Sequence, residues 1–153
     1  MGKEIERKFL VRNLPGNLGV FQSEEILQGY IPHTDTIEER LRLKGNRYFH
    51  TFKSKDKKDR EESDTEIGAY EFEKLWPLTT AKLEKTRFRI PYLDRTIELD
   101  IYCGDLTGLI TAEVEFDTLE QQANFVPPSW FGEDVTEDER YKNRNLAAKG
   151  LPH

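Results

Sequence analysis

Hydrophobic and polar residues alternate with a period of two along most of the chain, a pattern typical of β-strands whose faces meet different surroundings. Between residues 37 and 44, Leu41 and Leu43 share one face, while Arg40 and Arg42 share the other. The same alternation predicts eight strands, at residues 4–11, 26–31, 37–44, 47–53, 60–67, 83–90, 96–103 and 109–117. Short links such as the Gly45-Asn46 turn favour antiparallel hairpins.

Helical patterns are short and few. Residues 68–76 place Phe72, Leu75 and Trp76 at helical spacing, and Pro77 then ends the pattern. Residues 118–121 (TLEQ) and 136–139 (TEDE) each match a capping box, which predicts two further helices near the end of the chain. We expect these three helices to cover the apolar face of the sheet.

Length and composition narrow the class of protein. The 153 residues fit one domain, predicted to span residues 1–153. The net charge of -6 argues against nucleic acid as the main partner, since such proteins usually carry a basic excess. No run of ~18 apolar residues and no signal-peptide pattern is present, so we expect a soluble, cytoplasmic protein that does not bind membranes. The single cysteine excludes an internal disulfide and a cysteine-based metal cluster.

The polar faces of the predicted strands consist largely of ionised side chains, and like charges recur two positions apart. Examples are Glu4 with Glu6, Arg40 with Arg42, Lys85 with Arg87, and Glu113 with Glu115. Solvent-facing strands are the ordinary explanation of charged faces. However, like charges within ~7 Å of each other repel unless opposite charge intervenes.

We therefore predict a mainly β fold (α+β class), in which the strands close into an eight-stranded antiparallel β-barrel with the charged faces inward and short helices outside. Such a barrel has room for one small ligand. Carboxylate pairs suit Mg²⁺ or Mn²⁺, whereas arginine and lysine suit phosphate oxygens. Together they predict a site for a metal ion and a polyphosphate.

The residues also resemble a known family, the CYTH or triphosphate tunnel metalloenzyme superfamily, and in particular its short bacterial members. The Glu-x-Glu-x-Lys signature of that family matches residues 4–8 (EIERK). Further matches are residues 28–30 (QGY), 40–42 (RLR), Lys53, 85–87 (KTR), 98–100 (ELD), 112–115 (AEVE) and 135–141. The resemblance implies an eight-stranded antiparallel tunnel that binds a linear triphosphate together with Mg²⁺ or Mn²⁺.

The resemblance further implies roles for individual residues. Metal binding is implied for Glu4, Glu6, Glu113 and Glu115. Phosphate binding is implied for Lys8, Arg40, Arg42, Lys53, Lys85 and Arg87. The candidate catalytic set is Glu4, Glu6, Lys8, Glu62, Asp64 and Glu115.

The acidic strand at residues 60–67 departs from the family pattern. Family members commonly carry Glu-x-Glu there, whereas this chain reads Glu62-Ser63-Asp64-Thr65-Glu66. Glu62, Asp64 and Glu66 are all candidates for contacts to a second metal or to water, and the register of this strand stays open.

The leading functional hypothesis is metal-dependent hydrolysis of a small triphosphate by in-line attack of water on the terminal phosphorus. Inorganic tripolyphosphate, cleaved to pyrophosphate and phosphate, is the favoured substrate, with nucleoside and thiamine triphosphates as further possibilities. The alternatives are a class IV-type adenylate cyclase making cyclic AMP from ATP, a polyphosphate-binding module without turnover, and a structural β-domain. Monomer and homodimer both remain open.

Overall fold

A computed structural model describes residues 5–56 and 61–153, and nine strands within these ranges form one antiparallel sheet. The strands are β1 (Ile5–Val11), β2 (Gln22–Ile31), β3 (Ile37–Lys44), β4 (Arg47–Ser54), β5 (Glu62–Ile67), β6 (Ala81–Tyr92), β7 (Arg95–Tyr102), β8 (Ile110–Phe116) and β9 (Phe131–Asp134). Their order across the sheet is β5-β4-β3-β2-β6-β7-β8-β1-β9. The first eight correspond to the predicted strands. Residues 4 and 60, where two of those were predicted to begin, lie outside the described ranges.

The prediction of a closed eight-stranded barrel was wrong, because the sheet is open and has nine strands. Closure would require β1 to pair with β5. Instead, the second edge of β1 pairs with β9, with Phe9 opposite Asp134 and Val11 opposite Phe131. The short strand β9 therefore takes the hydrogen-bonding edge that closure would need, and β5 and β9 form the two edges of the sheet.

Helices are short and flank the sheet. They are α1 (Ala69–Leu75), α2 (Leu119–Asn124) and α3 (Asn143–Lys149). The capping box predicted at the start of α2 is confirmed, since Thr118 and Gln121 exchange side-chain to backbone hydrogen bonds. No helix in the described part of the chain is both long and apolar enough to cross a membrane.

The helix predicted to begin at Thr136 does not form there, and a 3-10 turn at Glu139–Tyr141 precedes α3 instead. The Thr136 hydroxyl accepts a hydrogen bond from the Lys8 backbone N–H at 3.0 Å and donates to Asp134. It is therefore not available to cap a helix. Asp138 caps the turn by accepting a bond from the backbone N–H of Arg140.

Two apolar clusters hold the fold together. The larger one comprises Val11, Ile90, Ile97, Leu99, Ala112, Val114 and Phe116. Phe125, just after α2, and Phe131 of β9 pack against it. In the smaller one, Leu146 of α3 packs on Leu83 and Tyr102, which attaches α3 to the sheet. The apolar strand faces are thus covered, as expected, and the charged faces are left to line a cavity.

The segment around α1 packs on the outer side of β2 and limits the size of the residue at position 29. A Cβ atom added to Gly29 would lie 2.8 Å from Cζ3 of Trp76 and 2.9 Å from Cγ2 of Thr79. The Trp76 ring is itself stacked on Phe72, with ring centroids 5.2 Å apart. The ring therefore has little freedom to move away.

We predict that Gly29→Ala lowers the free energy of unfolding by about 1–3 kcal/mol, because the added methyl group forces Trp76 and Thr79 apart. Urea unfolding followed by tryptophan fluorescence measures this. Gly16→Ala is the matched control, since a Cβ atom at Gly16 meets nothing within 4 Å. Equal stability of the two variants would contradict the prediction.

Candidate active site

Strands β1 to β8 all contribute side chains to one cavity of about 310 Å³. Its anionic lining consists of Glu6, Glu38, Glu62, Asp64, Glu98, Glu113, Glu115 and Asp138. Its cationic lining consists of Lys8, Arg40, Arg42, Lys44, Lys53, Lys85, Arg87, Lys142 and Arg144. Carboxylates and cations are thus present in near-equal number. The structure places in this lining every residue to which the resemblance gave a metal-binding, phosphate-binding or catalytic role, except Glu4, which lies outside the described residues.

The position of the acidic strand β5, left open by the sequence, follows from its pairing with β4. Glu62 lies opposite Lys53, and Asp64 lies opposite Thr51, whose hydroxyl donates to the Asp64 carboxylate at 2.5 Å. Both carboxylates line the cavity. Glu66 does not line it and instead forms an ion pair with Arg47 at 2.6 Å on the exposed surface.

Three carboxylates on neighbouring strands form a candidate metal-binding cluster. Glu98, Glu113 and Glu115 each offer an oxygen atom, and these three atoms lie within 4.8 Å of one another. Glu113 lies opposite Glu98 on β7, and Glu115 lies opposite Glu6 on β1. An all-oxygen donor set of this kind fits a hard divalent cation such as Mg²⁺ or Mn²⁺.

Glu98 was not among the metal ligands expected from the sequence. Its side chain is also within 3.0 Å of Arg89 and 3.4 Å of Arg87. The alternation of β7 puts Glu98 on the same face as Asp100, and β7 precedes β8 directly in the chain. Those two facts were the available signal that Glu98 faces Glu113.

Asp100 of β7 is a fully enclosed carboxylate that holds two cavity cations. It accepts hydrogen bonds from Arg87 Nε and Nη2 at 2.8 and 3.0 Å and lies 2.9 Å from Lys85 Nζ. Burial alone would raise the pKa of Asp100, but the adjacent charges of Lys85 and Arg87 hold that pKa well below its usual range. Asp100 therefore stays ionised, and it fixes both cations in place.

The charge of Lys85 depends on the adjacent carboxylate of Asp100. Burial disfavours its charged form more strongly than Asp100 favours it, and the pKa of Lys85 is lowered to about 8. Lys85 is therefore mostly protonated at neutral pH and loses its charge in mildly alkaline solution.

The charges of Arg40 and Arg42 on β3 are less closely paired with carboxylates than the charges of Lys85 and Arg87 on β6. Their Nε atoms are buried, and within the described part of the chain neither has a hydrogen-bond acceptor. Arg40 lies 3.9 Å from Glu38 and 3.8 Å from Glu62, which is too long for a hydrogen bond. Burial, together with the charges of Arg40 and Arg87, lowers the pKa of Arg42 to about 10. Buried donors normally find an acceptor, so this wall of the cavity suits an anionic ligand with several oxygen atoms.

Gln28 and Tyr30 of β2 add neutral polar groups to this wall. Gln28 Nε2 donates to the Tyr30 hydroxyl at 2.6 Å. Burial and the nearby Glu38 raise the pKa of Tyr30 to about 12, so its phenol stays protonated and can donate a hydrogen bond. The side-chain amide oxygen of Gln28, Oε1, has no hydrogen-bond donor among the described residues.

Arg7, the one charged residue of β1 on the outer side of the sheet, fixes the strand that carries Glu6 and Lys8. Its guanidinium group bonds Asp134 Oδ2 at 3.1 and 3.2 Å and the Phe125 carbonyl oxygen at 3.1 Å. Gln122 of α2 donates to the Glu6 carbonyl oxygen at 2.7 Å. These bonds therefore anchor β1 on the outer side of the sheet, opposite to the side chains of Glu6 and Lys8 that line the cavity.

The segment leading into α3 covers one end of the cavity. Lys8 Nζ donates to the Tyr141 carbonyl oxygen at 2.6 Å. Arg144 of α3 lies 3.5 Å from Glu38, at the beginning of β3. Both contacts join the C-terminal segment to charged residues of the sheet, so this end is occupied by protein.

Comparison with known proteins agrees with this arrangement, although no family model matches the chain. The inorganic triphosphatase of Nitrosomonas europaea is 46% identical over 147 residues, which cover 94% of this chain and 96% of that protein. The inorganic triphosphatase of Acetivibrio thermocellus is 33% identical over 159 residues, which cover 95% and 94% of the two chains. A crystal structure of an inorganic triphosphatase superposes with a TM-score of 0.76 at 44% identity, covering 100% of this chain and 99% of the other.

The charged faces of this antiparallel sheet line one cavity, in which clustered carboxylates lie beside arginine and lysine side chains. Such a lining suits an anionic ligand and a divalent cation. Given its relatives, this chain belongs to the CYTH, or triphosphate tunnel metalloenzyme, family.

We predict that Asp100→Asn lowers the free energy of unfolding by about 3–5 kcal/mol, because it leaves Lys85 and Arg87 buried without their counter-charge. Urea unfolding near pH 7 measures this. Glu66→Gln serves as the control, since it removes a carboxylate from an exposed ion pair and should have little effect. A similar loss of stability in both variants would contradict the assignment of Asp100 as the central counter-charge.

Proposed function

We propose that the protein is a divalent-metal-dependent hydrolase that cleaves inorganic tripolyphosphate to pyrophosphate and phosphate. The observation that carries this proposal is the joint presence, in one cavity, of the carboxylate cluster and the cationic side chains of β3, β4 and β6. The names of the two relatives support the same activity. Nucleoside and thiamine triphosphates are further candidate substrates.

The metal would be held by carboxylates of β1, β7 and β8. Glu98, Glu113 and Glu115 form the cluster, and Glu6 lies opposite Glu115 in the adjacent strand. Glu4 belongs to the proposed set on the strength of the sequence signature. A bound Mg²⁺ or Mn²⁺ supplies positive charge that offsets the charge of the phosphate oxygens.

The cationic residues would bind and orient the phosphate chain. Arg40 and Arg42 retain buried Nε donors, and Lys53 projects from β4 into the same cavity. Lys85 and Arg87 are held by Asp100 and offer their remaining donors in a fixed arrangement. Phosphoryl transfer depends mainly on such positioning and on electrostatic stabilisation, so rigid cations favour it.

Acidic residues would position the attacking water. Glu62 and Asp64 line the cavity on β5, and a carboxylate can accept a hydrogen bond from water and orient it for in-line attack. Asp64 is itself oriented by the Thr51 hydroxyl. The proposal also includes Mg²⁺ or Mn²⁺ as the metal ion and a cytoplasmic location for the protein.

Phosphate release tests the proposal directly. We expect release from tripolyphosphate with Mg²⁺ or Mn²⁺, and none after chelation with EDTA. Glu113→Gln should lower kcat/KM by at least about 100-fold, because loss of one carboxylate weakens metal binding. Glu120→Gln, an exposed residue of α2, is the control.

ATP and thiamine triphosphate are assayed in parallel, with cyclic AMP measured as an additional product. Cyclic AMP formation from ATP without phosphate release from any substrate would overturn the hydrolase proposal in favour of a cyclase. Binding of tripolyphosphate without release of phosphate would instead indicate a polyphosphate-binding module without turnover.

A second prediction concerns pH. Lys85 binds phosphate best when it is charged, and its pKa is lowered to about 8. The affinity for tripolyphosphate should therefore fall as pH rises from about 7 to 9.5, as the lysine loses its proton. Calorimetric titration in the absence of metal measures this fall.

Lys85→Arg is the informative comparison, because an arginine keeps its charge over this pH range. We expect the alkaline fall in affinity to be clearly smaller in this variant. An identical fall in both proteins would show that another group is responsible.

A further inference from the structure

A second depression adjoins the main cavity at the end opposite to α3. It has a volume of about 350 Å³ and is lined by Gln22, Ser23, Glu24, Arg87 and Arg89. Arg87 lines both spaces. A ligand that follows the cationic wall from the main cavity past Arg87 therefore reaches this depression next.

Glu24 is the carboxylate around which the cations of this corner are arranged. Its Oε1 atom lies 3.5 Å from Arg89 Nη2 and 3.9 Å from Lys44 Nζ. Both separations exceed ordinary hydrogen-bond lengths, so charge rather than directional bonding holds the group. Its side chain is 32% exposed, which leaves it accessible to a ligand that arrives from the cavity.

The depression at the other end of the cavity is less suited to phosphate. It has a volume of about 280 Å³ and is lined by Ile37, Phe52, Lys53, Ser54, Glu61, Glu62 and Ser63. Its charged residues are one lysine and two carboxylates, whereas the depression beside Glu24 has two arginines and one carboxylate. Glu38 and Lys44 lie six positions apart on β3, or about 20 Å along the strand. Arg144 and the Tyr141 segment occupy the Glu38 end. We therefore expect a substrate longer than three phosphates to extend toward Lys44, Arg89 and Glu24.

We propose that Glu24 determines the chain length of the substrate by disfavouring a fourth phosphate group. Lys44 and Arg89 alone would attract such a group. The carboxylate of Glu24 neutralises part of their charge and repels the additional phosphate, while the three phosphates in the main cavity lie farther away. This inference rests on the proposed function and specifies its substrate class, a linear inorganic triphosphate rather than a longer polyphosphate.

The test compares linear tripolyphosphate with linear tetraphosphate in the wild-type protein, in Glu24→Gln and in Glu25→Gln. Glu25 is the matched control, because it is the next residue of β2, points to the opposite face and is exposed. We expect the wild-type protein to favour tripolyphosphate in kcat/KM. Glu24→Gln should reduce this preference by about threefold to tenfold, mainly through improved use of tetraphosphate. Glu25→Gln should keep the wild-type ratio.

The inference would be overturned if Glu24→Gln left the ratio of kcat/KM for the two substrates unchanged. It would also be overturned if Glu25→Gln changed this ratio as much as Glu24→Gln does. Calorimetric binding of both polyphosphates without metal separates this outcome from failure of the proposed function. If the wild-type protein hydrolyses neither compound, the hydrolase proposal fails, and the ratio of the two dissociation constants in the three proteins still tests the role of Glu24.

Discussion

Burying a lysine beside an arginine is costly unless a carboxylate lies between them, and Asp100 occupies that position. It is enclosed by the protein, ionised, and bonded to Lys85 and Arg87 of β6. Because Arg87 and Asp100 lie directly opposite each other on paired strands, the pleat of the sheet sets this geometry. The rest of the cavity can then carry further charge without losing a defined arrangement.

The balance around Asp100 divides the cavity into two unlike walls. On β6 and β7, cations and carboxylates satisfy each other within the protein. On β3, Arg40 and Arg42 lie close together, and their buried Nε donors lack acceptors among the described residues. A phosphate chain bound to the second wall would supply what the protein does not. The first wall provides a rigid support that does not need to rearrange when a ligand arrives.

Much of this arrangement follows from the period-two pattern, because a one-residue shift in register would move the charged side chains to the face of the sheet that forms the apolar clusters. The strands of residues 37–44 and 47–53 were therefore placed to within one residue. The pattern could not indicate β9, since Phe131–Asp134 is too short to alternate and follows two prolines. The closed barrel was predicted from the charged strand faces and from the family resemblance, and neither could show that β9 takes the edge of β1 that closure requires.

The site residues likewise fall into two groups: those that belong to a sequence motif and those whose position depends on strand pairing. The described site residues that belong to a sequence motif line one cavity, because the motif and the strand face coincide. Glu98, a member of the candidate metal-binding cluster, was not predicted from the sequence, since its proximity to Glu113 depends on the β7–β8 register. The distinction between Glu62, Asp64 and Glu66 likewise required the pairing of β5 with β4. Tertiary pairing, and not residue type, decides such cases.

The open edge at β5 has a consequence for self-association. An edge strand presents backbone groups that can recruit the edge of another molecule and begin aggregation. In β5, Glu62, Asp64 and Glu66 place a carboxylate at every second position. Two such edges would bring rows of like charge together and repel each other. The acidic side chains of β5, two of which line the cavity, thereby disfavour pairing of this edge with the edge of another molecule.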